Sequence, residues 1–298
     1  MTLPPRAVLV RRRTELQELL DRHGTRGQAA FFLASRGRQI DEVEARHRQV
    51  REAVAAVSAA VPEQWRRASV ERAELSRFLF EPEDVIVVVG QDGLVANVAK
   101  YLDGQPVVGI DPEPGRNAGV LVTHPPSSVG PLLAAAVSAA GAHVEERCMV
   151  QADTDDGQRL VALNEVYFGH GSHQTARYLL TEPGGSQEAQ ASSGVIVATG
   201  TGATGWCRSA WLERHSAIEL PRPAERRLAW FVREAWPSPA TGTAHTEGQL
   251  AQGQPLRLTV TCDQLVLFGD GVEPDAITLA WGQSVAVGLS SRTLRLLR

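Results

Sequence analysis

Two kinds of hydrophobic pattern divide the chain. In the first, short apolar runs alternate with stretches of helical period. "AVLV" (Ala7 to Val10) and "AAFFLA" (Ala29 to Ala34) read as short buried strands, the second ending at Ser35-Arg-Gly37. The clearest helix follows: Asp41 caps it, Glu44 stands three residues on, and Val43, Val50, Val54, Val57 and Val61 keep one face apolar. "RASVERAEL" predicts a weaker helix. "DVIVVVG" (Asp84 to Gly90) is a continuous β-branched run, the pattern of a parallel strand covered on both faces. "QPVVGID" (Gln105 to Asp111) repeats it after the helical "VANVAKYL". Strands alternating with helices predict a parallel α/β domain over residues 1–122.

The second pattern covers residues 123–298. Here "LVALNEVYFG", "ARYLLTEP", "SGVIVATG", "LRLTVTC", "LVLFGDG", "ITLAWGQ" and "SVAVGLSSRTLRLL" read as strands separated by Gly, Ser and Pro turns. Only "PSSVGPLLAAAVSAA" and "WCRSAWLERHSA" carry helical period. A mostly antiparallel β domain is expected, with the boundary near the proline-rich "THPPSSVGP".

Composition narrows the classes. The 298 residues are enough for one large or two ordinary domains, and 43% hydrophobic with 21% charged residues is a globular balance. A net charge of -4 gives no reason to expect a nucleic-acid or membrane partner. Lys100 is the only lysine, a bias that reflects the coding genome more simply than an anion site. Cys148, Cys207 and Cys262 are far apart and form no C-x-x-C, so neither a disulfide framework nor a zinc site is expected. The opening "MTLPPRAVLVRRR" lacks the apolar core of a signal peptide, and a reducing cytoplasm is the expected setting.

Three segments carry candidate chemistry. Gly200, Gly202 and Gly205 in "VIVATGTGATGW" have G-x-G-x-x-G spacing after a β-branched run. A Rossmann site also needs a following apolar strand that leads into an acidic residue, and no such strand leads into Glu219. Two readings stay open: a glycine turn, or a turn whose N–H groups and Thr199, Thr201 and Thr204 hydroxyls face a polyhydroxylated ligand. Asp92 lies between Gly90 and Gly93 at the end of the buried strand, where open α/β sheets bind ligands. It is either an Asp-Gly turn or a general base for a substrate hydroxyl. Asn164 and Glu165 pair an amide with a carboxylate, suited to hydrogen-bonding a base and a ribose. His170-x-x-His173 lacks a third ligand nearby, and there is no P-loop and no G-x-S-x-G elbow.

In order, "GQDGL", "PVVGIDPEPGRNAGVL", "NEVYFG", "SSGVIVATGTGATGW" and "FGDGVEPDAITLAWGQSVAVGLSS" resemble the motif series of the NAD kinases. "SSG…TGTG..GW", "DPEPGRNAG" and the "SRGRQIDEVEARHRQV" helix start look most like the mitochondrial-type branch and its bacterial relatives. The resemblance implies an N-terminal α/β domain, a C-terminal β domain and a nucleotide site between them. It implies ATP-dependent phosphorylation of the 2′-hydroxyl on the adenosine ribose of NAD, with magnesium or another divalent cation, in a homo-oligomer such as a dimer. On this likeness Asp92 is the catalytic base, with Gly90 and Gly93 beside it. Asn164 and Glu165 hold NAD, and Thr201, Thr204, Gly205 and Trp206 cradle its adenosine portion.

The chain departs from the series at Gln91, where the family has its second glycine, and at Leu94, where it has a threonine. A side chain at position 91 is expected to crowd a phosphate or to demand an unfavourable φ, and Leu94 lacks a hydroxyl for a phosphate or metal. Ser193 stands where common bacterial enzymes have an aspartate, and the mitochondrial-type branch shares this serine. The alternatives are a protein that binds NAD or NADP with a degenerate donor site, and a kinase of the same fold acting on another nucleoside or a sugar.

Overall fold

The computed structural model describes residues 4–116, 119–138, 143–272 and 275–298, so residues 117–118 of "GRNAG" and 273–274 of "DGVEPD" lie outside it. The chain forms two compact units, one of residues 1–145 and 295–298, the other of residues 146–294.

In the first unit the chain runs β1 (Arg6–Arg11), α1 (Glu15–His23), α2 (Arg26–Ala34), α3 (Ile40–Ala60), β2 (Arg66–Glu71), β3 (Asp84–Val89), α4 (Asp92–Ala99), β4 (Pro106–Ile110) and α5 (Val129–Val137). The strands pair in the order β2-β1-β3-β4, all parallel. Every residue of β3 is buried, as its unbroken β-branched run predicts. Val85, Val87 and Val89 pack with Ala53 and Val57 of α3 and with Val129 and Leu133 of α5. That packing carries the unit past residue 122, where the change of pattern places the boundary, to Glu145.

Three local expectations are corrected. "AAFFLA" is helical: Thr25 accepts from the Gln28 N–H at the start of α2, and Ala29 and Leu33, one turn apart, are its buried residues. "RASVERAEL" instead gives the edge strand β2 and a short 3-10 turn, because Val8 and Val10 offer a parallel partner to Ala68 and Val70. Asp41 lies inside the first turn of α3, and Gln39 is the residue before it.

The second unit contains most of β5 (Val144–Thr154), then β6 (Arg159–Ala162), β7 (Glu165–Gly169), β8 (Ala176–Thr181), β9 (Gln187–Ser192) and β10 (Gly194–Ala198). After α6 (Trp206–Glu213) come β11 (Leu228–Arg233), β12 (Glu247–Leu250), β13 (Leu256–Val260), β14 (Gln264–Gly269), β15 (Ile277–Ala280) and most of β16 (Ser284–Leu297). One six-stranded antiparallel sheet has the order β12-β11-β10-β7-β14-β15. The β8–β9, β13–β8 and β13–β16 pairs are antiparallel too. Alternate residues from both sets, among them Phe168, Val195, Trp230, Tyr178, Leu258 and Val287, share one core. The mostly antiparallel β unit expected from the turn-rich pattern is therefore present. Among the described residues no helix is long and apolar enough to cross a membrane.

Candidate functional site

In the first unit, "GQDGL" spans the turn from β3 into α4. Asp92 opens the helix, where a carboxylate is favoured by the positive end of the helix dipole. Its Oδ1 accepts from the N–H groups of Leu121 (2.8 Å) and Val122 (2.9 Å), and its Oδ2 from Val120 (2.8 Å). A carboxylate offers about four lone-pair directions, so one acceptor position on Oδ2 is left. Gly109 lets the 120–122 segment lie this close to β4: a Cβ there would stand 2.1 Å from the Leu121 carbonyl oxygen. Gly93 is exposed, with no atom within 4 Å of where its Cβ would be. Gly90 is half-buried beside Leu94.

Both departures take on a different meaning here. Gln91 has φ −106° and ψ 165°, ordinary extended backbone, so its side chain costs no strain. Leu94 is 4% exposed and packs in the interior. The concern about a lost hydroxyl at position 94 therefore falls on a side chain directed into the core.

In the second unit three segments meet at one end of the six-stranded sheet. Glu165, first in β7, is paired with Ala198, last in β10, and Val166 with Gly269, last in β14. The "TGTGATGW" loop leaves β10 here, and Asp270 follows β14. Thr199 is fully buried: its hydroxyl donates to the Leu163 carbonyl (2.6 Å) and accepts from Thr201 N–H (3.1 Å) and Gly202 N–H (3.3 Å). The Thr201 hydroxyl, also buried, accepts from Arg147 Nη1 at 3.3 Å. Thr204 is exposed and its hydroxyl donates to the Thr201 carbonyl (2.9 Å). Of the three hydroxyls expected to face a ligand, Thr199 and Thr201 thus brace the loop from within, and Thr204 lies at the surface beside exposed Gly205. The half-buried Trp206 ring stacks on Tyr167 at 5.6 Å, with the Arg233 guanidinium 5.1 Å from its centre.

Asn164 and Glu165 are placed differently. Both are half-buried, and among the described residues neither side chain has a hydrogen-bond or ion-pair partner. Burial, reinforced by the neighbouring Asp270 carboxylate, pushes the Glu165 carboxyl up to about 7. Half-buried polar side chains without protein partners are costly to keep unless something else satisfies them. The pattern identified this pair. It placed Asp270 in the "FGDG" segment of the motif series without giving it a role, and it did not identify Arg147; their hydrogen-bond partners lie 106 and 54 residues away in sequence. For Arg147 the available signal was an arginine opening the buried run "RCMV".

Glu165 also makes stability depend on pH. The unfolded chain releases this proton near pH 4.5, the folded chain near pH 7. Between these values the folded form binds more protons, so Glu165 lowers stability as pH rises through the window, by at most about 3 kcal/mol, with no further loss above it. A Glu165→Gln chain is expected to be stabilised relative to wild type at about pH 8, and much less so at about pH 5. Urea unfolding of both chains at the two pH values checks this, and an equal difference at both refutes it.

Among the described residues no group of three or more His, Cys, Asp or Glu side chains could hold a metal ion. The His170 Nδ1 instead accepts from the Ser172 N–H at 3.0 Å.

No family model and no curated protein matches the sequence. Among solved structures, the chain is similar to an NAD kinase from Archaeoglobus fulgidus in complex with ATP. The match has a TM-score of 0.58 at 16% identity, covering 98% of this chain and 93% of that one. An α/β unit with a parallel sheet, followed by an antiparallel β unit, is the two-domain fold of that NAD kinase.

Proposed function

We propose that the chain is an ATP-dependent kinase that phosphorylates the adenosine-ribose 2′-hydroxyl of NAD. The observation that carries this is the adjacent pair Asn164–Glu165 at one end of the six-stranded sheet, whose half-buried side chains have no hydrogen-bond or ion-pair partner among the described residues. An amide and a carboxyl in that state suit the donors and acceptors of an adenine and its ribose. The fold shared with an ATP-bound NAD kinase supports the same reading.

In the reaction Asp92 accepts the 2′-hydroxyl proton on the free position of Oδ2 as the ribose oxygen attacks the γ-phosphorus of ATP. The bond from the γ-phosphorus to the β–γ bridging oxygen breaks, ADP leaves with that electron pair, and Asp92 returns its proton to water. Backbone hydrogen bonds to both Asp92 oxygens hold the base in place before the substrate arrives, as positioning catalysis requires. Glu165 and Asn164 orient the acceptor, and Gly93 leaves open space beside the base. The divalent cation enters as the magnesium complex of ATP, held largely by phosphate oxygens.

The purified chain with ATP, magnesium and NAD is expected to form NADP. Absence of NADP together with absence of NAD binding in calorimetry overturns the proposal. NAD binding without turnover would favour the binding-protein alternative, and turnover on another nucleoside or a sugar would move the acceptor. Gln91→Gly with Leu94→Thr is expected to bring no gain in rate, because position 91 is unstrained and position 94 is buried. It should lower the melting temperature through the loss of buried apolar volume. A rate gain of roughly tenfold or more would mark the donor loop as degenerate.

A further inference from the structure

We infer that Asp270 is a positioning residue for the acceptor pair: it locks the backbone from which Asn164 and Glu165 are presented. This rests on the proposed role of that pair. Asp270 Oδ1 accepts from the Asn164 N–H at 2.6 Å and its Oδ2 from the Leu163 N–H at 2.9 Å, while its own N–H donates to the Glu165 carbonyl at 3.0 Å.

The geometry is informative because consecutive N–H groups point in opposite directions along a regular strand. Here two of them converge on one carboxylate, so the chain cannot be extended at Leu163 and Asn164. Such a pair of converging N–H groups is an anion-binding concavity, and Asp270 is its built-in anion. This explains why "LVALNEVYFG", whose apolar content reads as one strand, is broken into β6 and β7 with Asn164 between them.

Asp270 is itself held in an unusual conformation. Its φ is +53°, and that of Gly271 is +65°, with the Val272 N–H donating to the Gly269 carbonyl at 3.0 Å. Two left-handed central residues closed by this bond have the form of a type I′ turn, which Asp-Gly suits well. The turn aims the carboxylate back across the β14–β7 pairing at the residues before β7.

Among the described residues, the titratable groups that act on Glu165 are Asp270 from this turn and the buried Cys207 thiol from α6. Asp270 thus does two things for its neighbour. It fixes the backbone, and its charge favours the protonated form of the Glu165 carboxyl.

The test uses the full chain and measures NAD binding by calorimetry across a pH series, with the Glu165 carboxyl titration followed by carbon NMR in the ligand-free protein. Asp270→Asn removes the charge and turns an amide donor towards one of the two N–H groups. It is expected to raise the NAD Kd roughly ten- to a hundredfold and to move the Glu165 titration to lower pH. Asp270→Glu keeps the charge on a longer arm, and is expected to weaken NAD binding while the titration stays near its wild-type midpoint. That variant also serves if Asp270→Asn does not fold.

A purely structural role would lower the melting temperature of both variants without separating their titrations. Wild-type affinity and an unmoved midpoint in Asp270→Asn, or wild-type affinity in Asp270→Glu, overturn the inference. If the wild-type chain itself binds no NAD, the functional reading fails instead, and the carbon NMR titration still decides the influence of Asp270 on Glu165.

Discussion

An Asp92→Asn chain is expected to form NADP ~10²–10⁴-fold more slowly than wild type, the usual loss on removing a general base, with NAD affinity little changed. The substitution keeps the shape of the side chain and removes its ability to take a proton. It also disturbs an anchor, since Asp92 accepts three backbone N–H groups from residues 120–122 and an asparagine has one oxygen to offer them. The amide nitrogen would then face an N–H donor, a mismatch worth about 1–3 kcal/mol when buried. The variant should therefore melt at a lower temperature as well as turn over more slowly. Three measurements separate the roles: kcat, the NAD Kd and the melting temperature. A collapse of kcat at constant Kd assigns the base. Undiminished turnover rejects it. Parallel loss of binding and turnover would leave Asp92 as an anchor for the 120–122 segment alone.

The second large effect concerns the glycines. A Cβ on Gly200 would stand 1.9 Å from the Arg222 carbonyl oxygen, and one on Gly202 2.2 Å from that of Asn164. Both obstacles are backbone, which cannot rotate away as a side chain can. Gly200→Ala and Gly202→Ala are each expected to cost at least about 1–3 kcal/mol, the range for forcing atoms into packed space, with Gly202→Ala also displacing the Asn164 backbone. Gly93→Ala is the contrast, because nothing lies within 4 Å of its Cβ and the residue is helical. That chain is expected to be at least as stable as wild type, since alanine is the better helix former. Under the proposed function it should also form NADP more slowly than wild type. Thermal unfolding of the three variants checks the order, and equal stability of Gly200→Ala and Gly93→Ala would sink this account of the spacing.

This also answers what the G-x-G-x-x-G spacing is for. At Gly200 and Gly202 it allows a loop to press against Arg222 and Asn164, with Thr199 bonded beneath it. A dinucleotide fingerprint has the same spacing for a different close approach, which is why the letters alone do not distinguish the two.

Much of the first unit was legible because its determinants are local and strong. Six consecutive buried residues in β3 and the matching run in β4 admit little besides covered parallel strands. The order of "GQDGL", "NE" and "TGTGATGW" along the chain likewise carried the likeness to NAD kinases, and the two-domain fold expected from it is present. "AAFFLA" and "RASVERAEL" were misread because a short apolar run fits either a strand or one face of a helix. Thr25 as cap settled the first, and the free edge of β1 settled the second.

The chain by itself thus determined which residues form the core strands, where the glycine turns fall and which polar residues stand at strand ends. Tertiary structure alone decided what those polar residues do. It turned Thr199 and Thr201 inward and buried Leu94, yet among the described residues it left the side chains of Asn164 and Glu165 without a hydrogen-bond or ion-pair partner. It also set Asp270 against residues 163–165, far away in sequence. The reason is physical: core and turn preferences act over a few neighbouring residues. A hydrogen-bond partner or a shifted proton affinity depends on whatever distant segment the fold brings within about 3 Å.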